Sequence, residues 1–404
     1  MKKPVFVLFV DLSAAFDHVV RSWLFKSIYQ RFSPNTDNTL IRILGAVYSY
    51  TTTALSETPG DIFELTTGVR QGGPESPPLY NLFMDYVMRV YEQECVKENI
   101  QFVKLKYRIR PTACTREDRM SGYHGDHLAD WSGYADDLEL FIENPHDLQK
   151  ALTILHSVFS KFGLNINIQK IKTMIFNFKY VEMNYDFTYP KSIVTLEDQP
   201  IENVKQFRYL GDEVRFNEPS TGDTEVDLRI NIALAKFYEI IKKLTNYKIR
   251  LSTRVLILNS LVRSRLTYSC QTWNLTQSQM QRINSTYITM LRKLVRNGCK
   301  REEFRYTMTN AAILQVCKTS DIPSFVLKQQ ASYLGHLARQ PNQCLTKRLL
   351  FNNDKRTKQG RPSETVEDKV MKSFNITKDQ FYKDALKKKG HDQPNIDRRL
   401  SSQR

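Results

Sequence analysis
The chain is 404 residues long, with 41% hydrophobic and 25% charged residues and no low-complexity tract, an ordinary soluble composition with room for two or three compact domains. Its 59 Lys and Arg exceed its 43 Asp and Glu by 16, a surplus that favours a polyanionic partner, because neutralising phosphates releases condensed counterions. The 6 scattered cysteines include no C-x-x-C pair, and in a chain this large a disulfide framework is not expected, which suits a reducing compartment; no run approaches the ~20 apolar residues that span a bilayer.

The N-terminus opens Met1-Lys2-Lys3 before the apolar run Val5 to Val10, but Asp11 ends that run and no small-residue cleavage site follows. A buried strand is therefore expected rather than a secretion signal, and the protein is expected inside the cell, nuclear or cytoplasmic. The continuous β-rich run PVFVLFVDL suits a strand covered on both faces. DHVVRSWLFKSIYQRF then places Val20, Trp23, Leu24 and Ile28 on one helical stripe. A second helix is expected from an N-cap at Ser76, with Pro77 in its first turn and Leu79, Phe83, Val87 and Val90 facing the core. Residues 95–130 are polar and irregular and are expected as a surface insertion. WSGYADDLELFIEN predicts two short strands around a tight turn at Ala135-Asp136-Asp137. LQKALTILHSVFSKFG predicts an amphipathic helix closed by Gly163, the residue suited to a left-handed cap.

Beyond about residue 215 the pattern turns helical: VDLRINIALAKFYEIIKKL, RVLILNSLVRSRLTYSC and MQRINSTYITMLRKLVRNG each carry an apolar stripe opposite Lys or Arg. The last ~50 residues are polar and basic, with NNDKRTKQGRP expected as a linker and GHDQPNIDRRLSSQR as a disordered tail. Cys299, Cys317, His336 and Cys344 match no usual zinc spacing.

The chemistry concentrates in three aspartates. Asp11 ends a buried strand, and Asp136 and Asp137 share the tip of a hairpin. A carboxylate at a buried strand end is costly unless paired or bound to a cation, and adjacent carboxylates repel. A divalent metal resolves both, since hard Mg²⁺ takes carboxylate oxygens together with substrate phosphates. Taken singly, an Asp-Asp turn is usually solvated and an Asp after a strand is often a helix cap; the context decides.

That context is five segments in order: FVDLSAAFD, TTGVRQGGPESPPLYNLFMDYV, GYADDLELF, GLNINIQKIKTMIF and FRYLG. They resemble the successive palm motifs of non-LTR retrotransposon (LINE-type) reverse transcriptases, strongly over residues 4 to 215 and weakly through SLVRSRLTYSCQTWNLT and YLGHLARQ. The resemblance implies an α+β right-hand palm, an antiparallel sheet with helices on one face, followed by an all-helical thumb. Its boundaries would be a palm at 1–215, a thumb at 216–300, a C-terminal helical region at 301–350 and a basic linker and tail at 351–404.

It implies roles as well. Asp11, Asp136 and Asp137 would be catalytic and would hold two Mg²⁺ ions, or Mn²⁺ in their place. Phe16 would crowd the sugar 2′ carbon, Gln71 and Gly72 would lie under the incoming nucleotide and template, and Tyr134 would pack near the primer end. Lys170 and Lys172 would stand near the triphosphate, and Phe207, Tyr209, Leu210 and Gly211 would grip the primer. Lys236, Lys242, Lys243, Arg263 and Arg265 on the thumb would touch backbone phosphates, which position a duplex without reading its sequence. The partners implied are an RNA template, a DNA primer and deoxynucleotides, with recognition of the A-form-like hybrid by shape.

Two departures from the family pattern stand out. Glu75 replaces an apolar residue before Ser76, and Pro78 follows Pro77. The chain also begins ten residues before Asp11, so the family's fingers region, which helps hold the triphosphate, and its endonuclease would lie outside it. The leading expectation is thus RNA-directed DNA polymerisation. The rival is a non-catalytic nucleic-acid-binding remnant of the same fold. A nucleotide cyclase, a third two-metal alternative, would need neither the RQGG turn nor a basic helical thumb.

Overall fold
Six consecutive apolar residues at Val5–Val10 form strand β1, and in the computed structural model it is paired along both edges and its side chains are buried on both faces. The structure describes residues 4–32, 39–49, 51–54, 62–108, 124–177, 190–215, 222–298, 308–341, 344–351 and 364–386. The described chain falls into two compact units, one of residues 1–105, 128–210 and 214–217, the other of residues 106–127, 211–213 and 218–404.

The first unit is built on the sheet. After β1 come β2 (Leu12–Ser13), α1 (Arg21–Phe32), α2 (Thr39–Ser49), β3 (Thr52–Ala54), β4 (Ile62–Glu64) and α3 (Ser76–Lys97). Then follow β5 (Val103–Arg108), β6 (His124–Ala129), β7 (Trp131–Tyr134), β8 (Asp137–Ile142), α4 (Pro145–Lys161), β9 (Asn165–Ile166) and β10 (Lys172–Phe176). β11 (Ser192–Leu196) and β12 (Gln199–Glu202) form one hairpin, and β13 (Gln206–Tyr209) and β14 (Asp212–Arg215) another; residues 106–108 of β5, 124–127 of β6 and 212–213 of β14 are counted with the second unit. The central sheet runs β10-β1-β8-β7, and each of its pairs is antiparallel.

Alternation along β1 divides its side chains between two cores. Phe6, Leu8 and Val10 join Leu138, Leu140 and the helices α1, α3 and α4, while Val7 and Phe9 join Met174 on the other face, against Phe207, Tyr209 and Val214. Helix α3 buries Leu79, Phe83 and Val87 as expected and also Tyr80, Met84, Met88, Tyr91 and Cys95, so its stripe is wider than the periodicity alone indicates. The cap differs from expectation. Glu75 is the N-cap without a side-chain bond, and Ser76 is already helical, its hydroxyl donating to Arg70 O at 2.5 Å. α4 is capped by Asn144, which accepts from Asp147 N at 2.8 Å, and ends at Gly163 with φ +80°. The region expected as a polar insertion is partly regular: α3 runs on to Lys97, and β5 and β6 pair around residues 109–123, which lie outside the described residues.

The second unit is helical. α5 (Asp223–Leu244), α6 (Leu251–Leu258), α7 (Ser264–Leu266), α8 (Gln277–Gly298), α9 (Asn310–Cys317) and the first half of α10 (Ile322–Arg339) share one core, including Phe237, Leu258, Tyr287 and Leu291. Between α6 and α7 the backbone widens into a π-helical segment, Asn259–Arg263, that no sequence signal announces. Around it Tyr287 donates its hydroxyl hydrogen to Asn259 Oδ1 at 2.7 Å, and Arg263 lies 4.4 Å over the Phe325 ring.

Among the described residues of this unit, two arginines are buried. Arg254 donates to Ile249 O (2.9 Å), Leu244 O (3.3 Å) and Leu294 O (2.9 Å). Arg229 bonds Glu225, Asp212 and, at 2.6 Å, Gly211 O, with its guanidinium 4.7 Å over Tyr268.

The final stretch, expected as linker and tail, contains α12 (Val366–Phe374) and α13 (Lys378–Leu386), which pack with α11 (Leu345–Leu350) and the second half of α10 around Leu334, Met371, Phe381 and Tyr382. A Thr365–Asp368 capping box starts α12. NNDKRTKQGRP (352–362) and GHDQPNIDRRLSSQR (390–404) lie outside the described residues. No helix among the described residues is long and apolar enough to cross a membrane.

Candidate active site
Antiparallel register brings the aspartates to one end of the sheet. Val10 pairs with Leu138, so Asp11, the next residue of the chain, leaves β1 beside Asp137, the first residue of β8. Tyr134 pairs with Asp137, leaving Ala135 (φ +56°) and Asp136 as the two-residue turn. Asp137 is thus in the strand and not in the turn, a shift of one residue from expectation. Asp11 is further fixed by Asn167, whose N–H donates to Asp11 O at 2.9 Å.

A cleft of about 370 Å³ opens at this point, lined by Asp11, Asp137, Lys170, Lys172, Tyr209 and Leu210 among others. Lys170 Nζ lies 3.1 Å from Asp11 Oδ2, while Lys172 pairs with Glu202 at 2.8 Å, so the basic pair divides between two carboxylates. The hairpin β13–β14 supplies one wall: Phe207 and Tyr209 pack on Phe9, with ring centroids 4.7 and 5.5 Å apart. Its tip holds Leu210 at φ +48° and Gly211 at φ +81°, two successive left-handed residues of which only the glycine is free of steric cost.

Negative charge is crowded here. Burial, then the charges of Asp136 and Asp11, raise the Asp137 pKa, and Lys170 only partly opposes them. Glu139, two residues on and on the same face of β8, is pushed up to about 7 by burial and by Asp137. Burial, Glu139 and Asp137 together raise the Tyr209 hydroxyl. Like charges held together at partial burial are costly, and a bound cation offsets that cost.

On the other face of the sheet the loop after β2 carries Phe16, whose ring stacks on Tyr80 at 4.5 Å and 14°. The Tyr80 hydroxyl is fully buried without a hydrogen-bond partner, and burial together with Asp136 raises its pKa. Gln71 is exposed at the RQGG turn, its Nε2 donating to both Asp17 oxygens at 2.9 and 3.2 Å. Gly72 (φ +84°) is open to solvent, with no atom within 4 Å of where a Cβ would stand. At Gly73 a Cβ would fall 2.6 Å from Glu75 Oε1, the movable end of the unusual glutamate, whose carboxylate packs over this glycine.

The structure therefore gathers Asp11, Asp137, Lys170, Lys172, Phe207, Tyr209 and Leu210 around one cleft, with Asp136 in the turn next to Asp137. Tyr134 is 69% exposed at the end of β7. In the helical unit, Lys242 and Lys243 are exposed, Lys236 pairs with Glu239, and Arg263 is turned inward to Thr319 and Phe325. Sequence reasoning missed Asp17, Tyr80 and Glu139. Only Glu139 left a trace, as a second carboxylate on the Asp137 face of β8, alternating with the buried Leu138 and Leu140.

The donor set suits a hard divalent cation, because every candidate ligand is a carboxylate oxygen. Among the described residues, however, no three His, Cys, Asp or Glu side chains converge as a ready-made metal cluster. Two carboxylates completed by substrate phosphates remain compatible with the arrangement.

The family model described as reverse transcriptase (RNA-dependent DNA polymerase) matches residues 1–214. A transposon-derived protein of Caenorhabditis elegans is 27% identical over 210 residues, covering 51% of this chain and 71% of that protein. Among solved structures, telomerase from Candida albicans in complex with a fragment of telomeric RNA is 12% identical, covering 82% of this chain and 48% of its own, at a TM-score of 0.34. Apo telomerase from Candida tropicalis is 11% identical, covering 82% and 52%, at a TM-score of 0.38. This chain spans about half the length or less of these telomerase chains.

Proposed function
The chain belongs to the reverse transcriptase (RNA-dependent DNA polymerase) family, and on that premise we propose that it extends a DNA primer along an RNA template, as part of a retroelement of the non-LTR type. The observation that carries the reading is the convergence of Asp11 and Asp137 on one cleft, with Asp136 in the adjoining turn and Lys170 as a cation at its mouth.

Asp11, Asp136 and Asp137 would hold the Mg²⁺ or Mn²⁺ ions, whose contribution is to activate the primer 3′-hydroxyl and to stabilise charge on the leaving pyrophosphate. The chain's own residues do the positioning, which supplies much of the catalysis in phosphoryl transfer. Lys170, exposed and bonded to Asp11, is placed to exchange that carboxylate for a triphosphate oxygen. Phe16, backed by Tyr80, presents a flat wall where a sugar 2′ position would fall. Gln71 and Gly72 offer an open backbone surface under a template base, with Asp17 orienting the Gln71 amide. Leu210 and Tyr209 line the cleft where a primer end would rest, and exposed Lys242 and Lys243 add positive charge suited to backbone phosphates.

The test is primer extension on an RNA template with purified protein, Mg²⁺ and deoxynucleotides, beside Asp136→Asn. Extension by the unaltered chain alone is expected, with hybrid binding nearly the same in both. Equal loss of binding in the variant would sink the metal-ligand assignment, and hybrid binding without extension by the unaltered chain would identify a binding module.

A further inference from the structure
Arg21 sits where its own helix does not favour it. It is the first residue of α1, and a helix N-terminus carries about half a positive charge, which disfavours a cation. Its guanidinium is engaged elsewhere: Nε donates to Gly68 O (3.1 Å), Nη1 to Tyr48 O (2.9 Å) and Leu65 O (2.5 Å), and Nη2 to Thr67 O (3.2 Å). The acceptors lie 27 to 47 residues along the chain, and they belong to two segments only, the end of α2 and the approach to the RQGG turn.

Both attachments make physical sense. Tyr48 is the penultimate residue of α2, so its carbonyl is among those a helix C-terminus leaves unpaired, and a cation there is favourable. Arg70, from the turn itself, reaches the same helix end by donating to Val47 O at 3.2 Å. The Tyr48 ring lies 5.3 Å from the Arg21 guanidinium and 6.0 Å from that of Arg70. Two arginines therefore converge on one helix terminus and tie the turn to it.

The opposite side of the segment is pinned by backbone. Gly68 N donates to Val19 O (2.8 Å) and Val69 N to Phe16 O (2.9 Å). Gly68 itself holds φ +82°, and a Cβ there would stand 3.0 Å from Asp17 O. The run Leu65 to Gly68 is thus a strap between the Phe16 loop and the end of α2, and it leads directly into Arg70, Gln71 and Gly72.

We propose that Arg21 is a positioning residue for the template turn, its guanidinium fixing residues 65–68 against the end of α2 and so setting Gln71 and Gly72 relative to Phe16. The proposal rests on the polymerase reading for what the turn contacts. Lysine is no substitute, because three donors on one nitrogen cannot span four carbonyls as a planar fork does.

The experiment compares the full chain with Arg21→Lys and Arg21→Gln by two readouts. Hydrogen exchange followed by mass spectrometry is expected to speed up about tenfold or more in residues 65–73 of both variants, with β1 and β8 unchanged. In primer extension, Arg21→Lys is expected to raise the deoxynucleotide KM about tenfold while kcat stays within about twofold. Unchanged exchange at 65–73, or equal acceleration throughout the sheet unit, overturns the proposal, as does local loosening with an unaltered KM. If the unaltered chain extends no primer, the polymerase reading fails separately, and exchange at 65–73 still decides whether Arg21 holds the turn.

Discussion

In the helical unit Arg229 and Arg254 are nearly inaccessible, yet each is surrounded by acceptors: Glu225, Asp212 and Gly211 O for the first, three backbone carbonyls for the second. In the sheet unit Asp11, Asp136, Asp137 and Glu139 crowd together with Lys170 and Lys172 as the only cations among the described residues lining the cleft besides Arg208. Charge that the fold answers internally is structural. Charge left short of counter-charge, at the same end of a sheet where Leu210 holds a strained backbone, is what the proposed cations would balance.

The largest test of that contrast pairs Arg229→Met with Asp137→Asn. The first strands the Glu225 carboxylate, one oxygen of which already lacks a partner, and should cost about 3–5 kcal/mol in urea unfolding. The second removes a group whose charged form the fold disfavours, so stability should hold or rise while extension is lost. Equal destabilisation by both would erase the distinction between the units.

A smaller effect probes what does stabilise the sheet unit. Gly163 has φ +80°, and a Cβ there would meet Val20 Cγ2 at 2.7 Å. Gly163→Ala should therefore cost about 1–2 kcal/mol, measured the same way, and a neutral result would mean that the α4 terminus relaxes freely.

The smallest concerns Asp368. Burial alone would raise its pKa, but hydrogen bonds from Lys378 and Thr365 outweigh it and hold the group down to about 2. A depressed carboxylate contributes stability that is present above its unfolded value of about 3.9 and is lost as pH falls toward 2. Thermal melts should show a slight advantage over Asp368→Asn near neutrality that fades below about pH 4, small because the side chain is 40% exposed.

Much of the sheet unit was legible because its signals are local. The apolar run Val5 to Val10 gave a two-faced strand, Ala135-Asp136 a hairpin, and Gly163 a helix end. The motif order brought Asp11 and the Asp pair together on paper before the register did so in space. What escaped is polar and non-local. Arg21 bonds carbonyls up to 47 residues away, and nothing in its neighbours' periodicity announces that. Tyr80 carries no local signal of its own, and its stack on Phe16 appears only in three dimensions. The residue type of Ser76 suits a cap, whereas the turn before it claims the hydroxyl. α12 and α13 were hidden by a polar composition, although Thr365 and Asp368 carry a capping box.

The π-helical segment Asn259–Arg263 has a consequence for chain length. In a regular α-helix, residues spaced by four drift about 40° per step around the axis, so Leu258, Val262 and Leu266 would fan out over about 80°. All three are buried on one core. The wider winding takes up that angular surplus, as a single inserted residue does. The helix is in effect one residue out of phase on either side of the segment. Removing one residue inside it would restore regular winding and leave Leu258 and Leu266 seven positions apart, within about 20° of one face, so Leu266 is expected to stay in the core while Val262 and Arg263 shift locally.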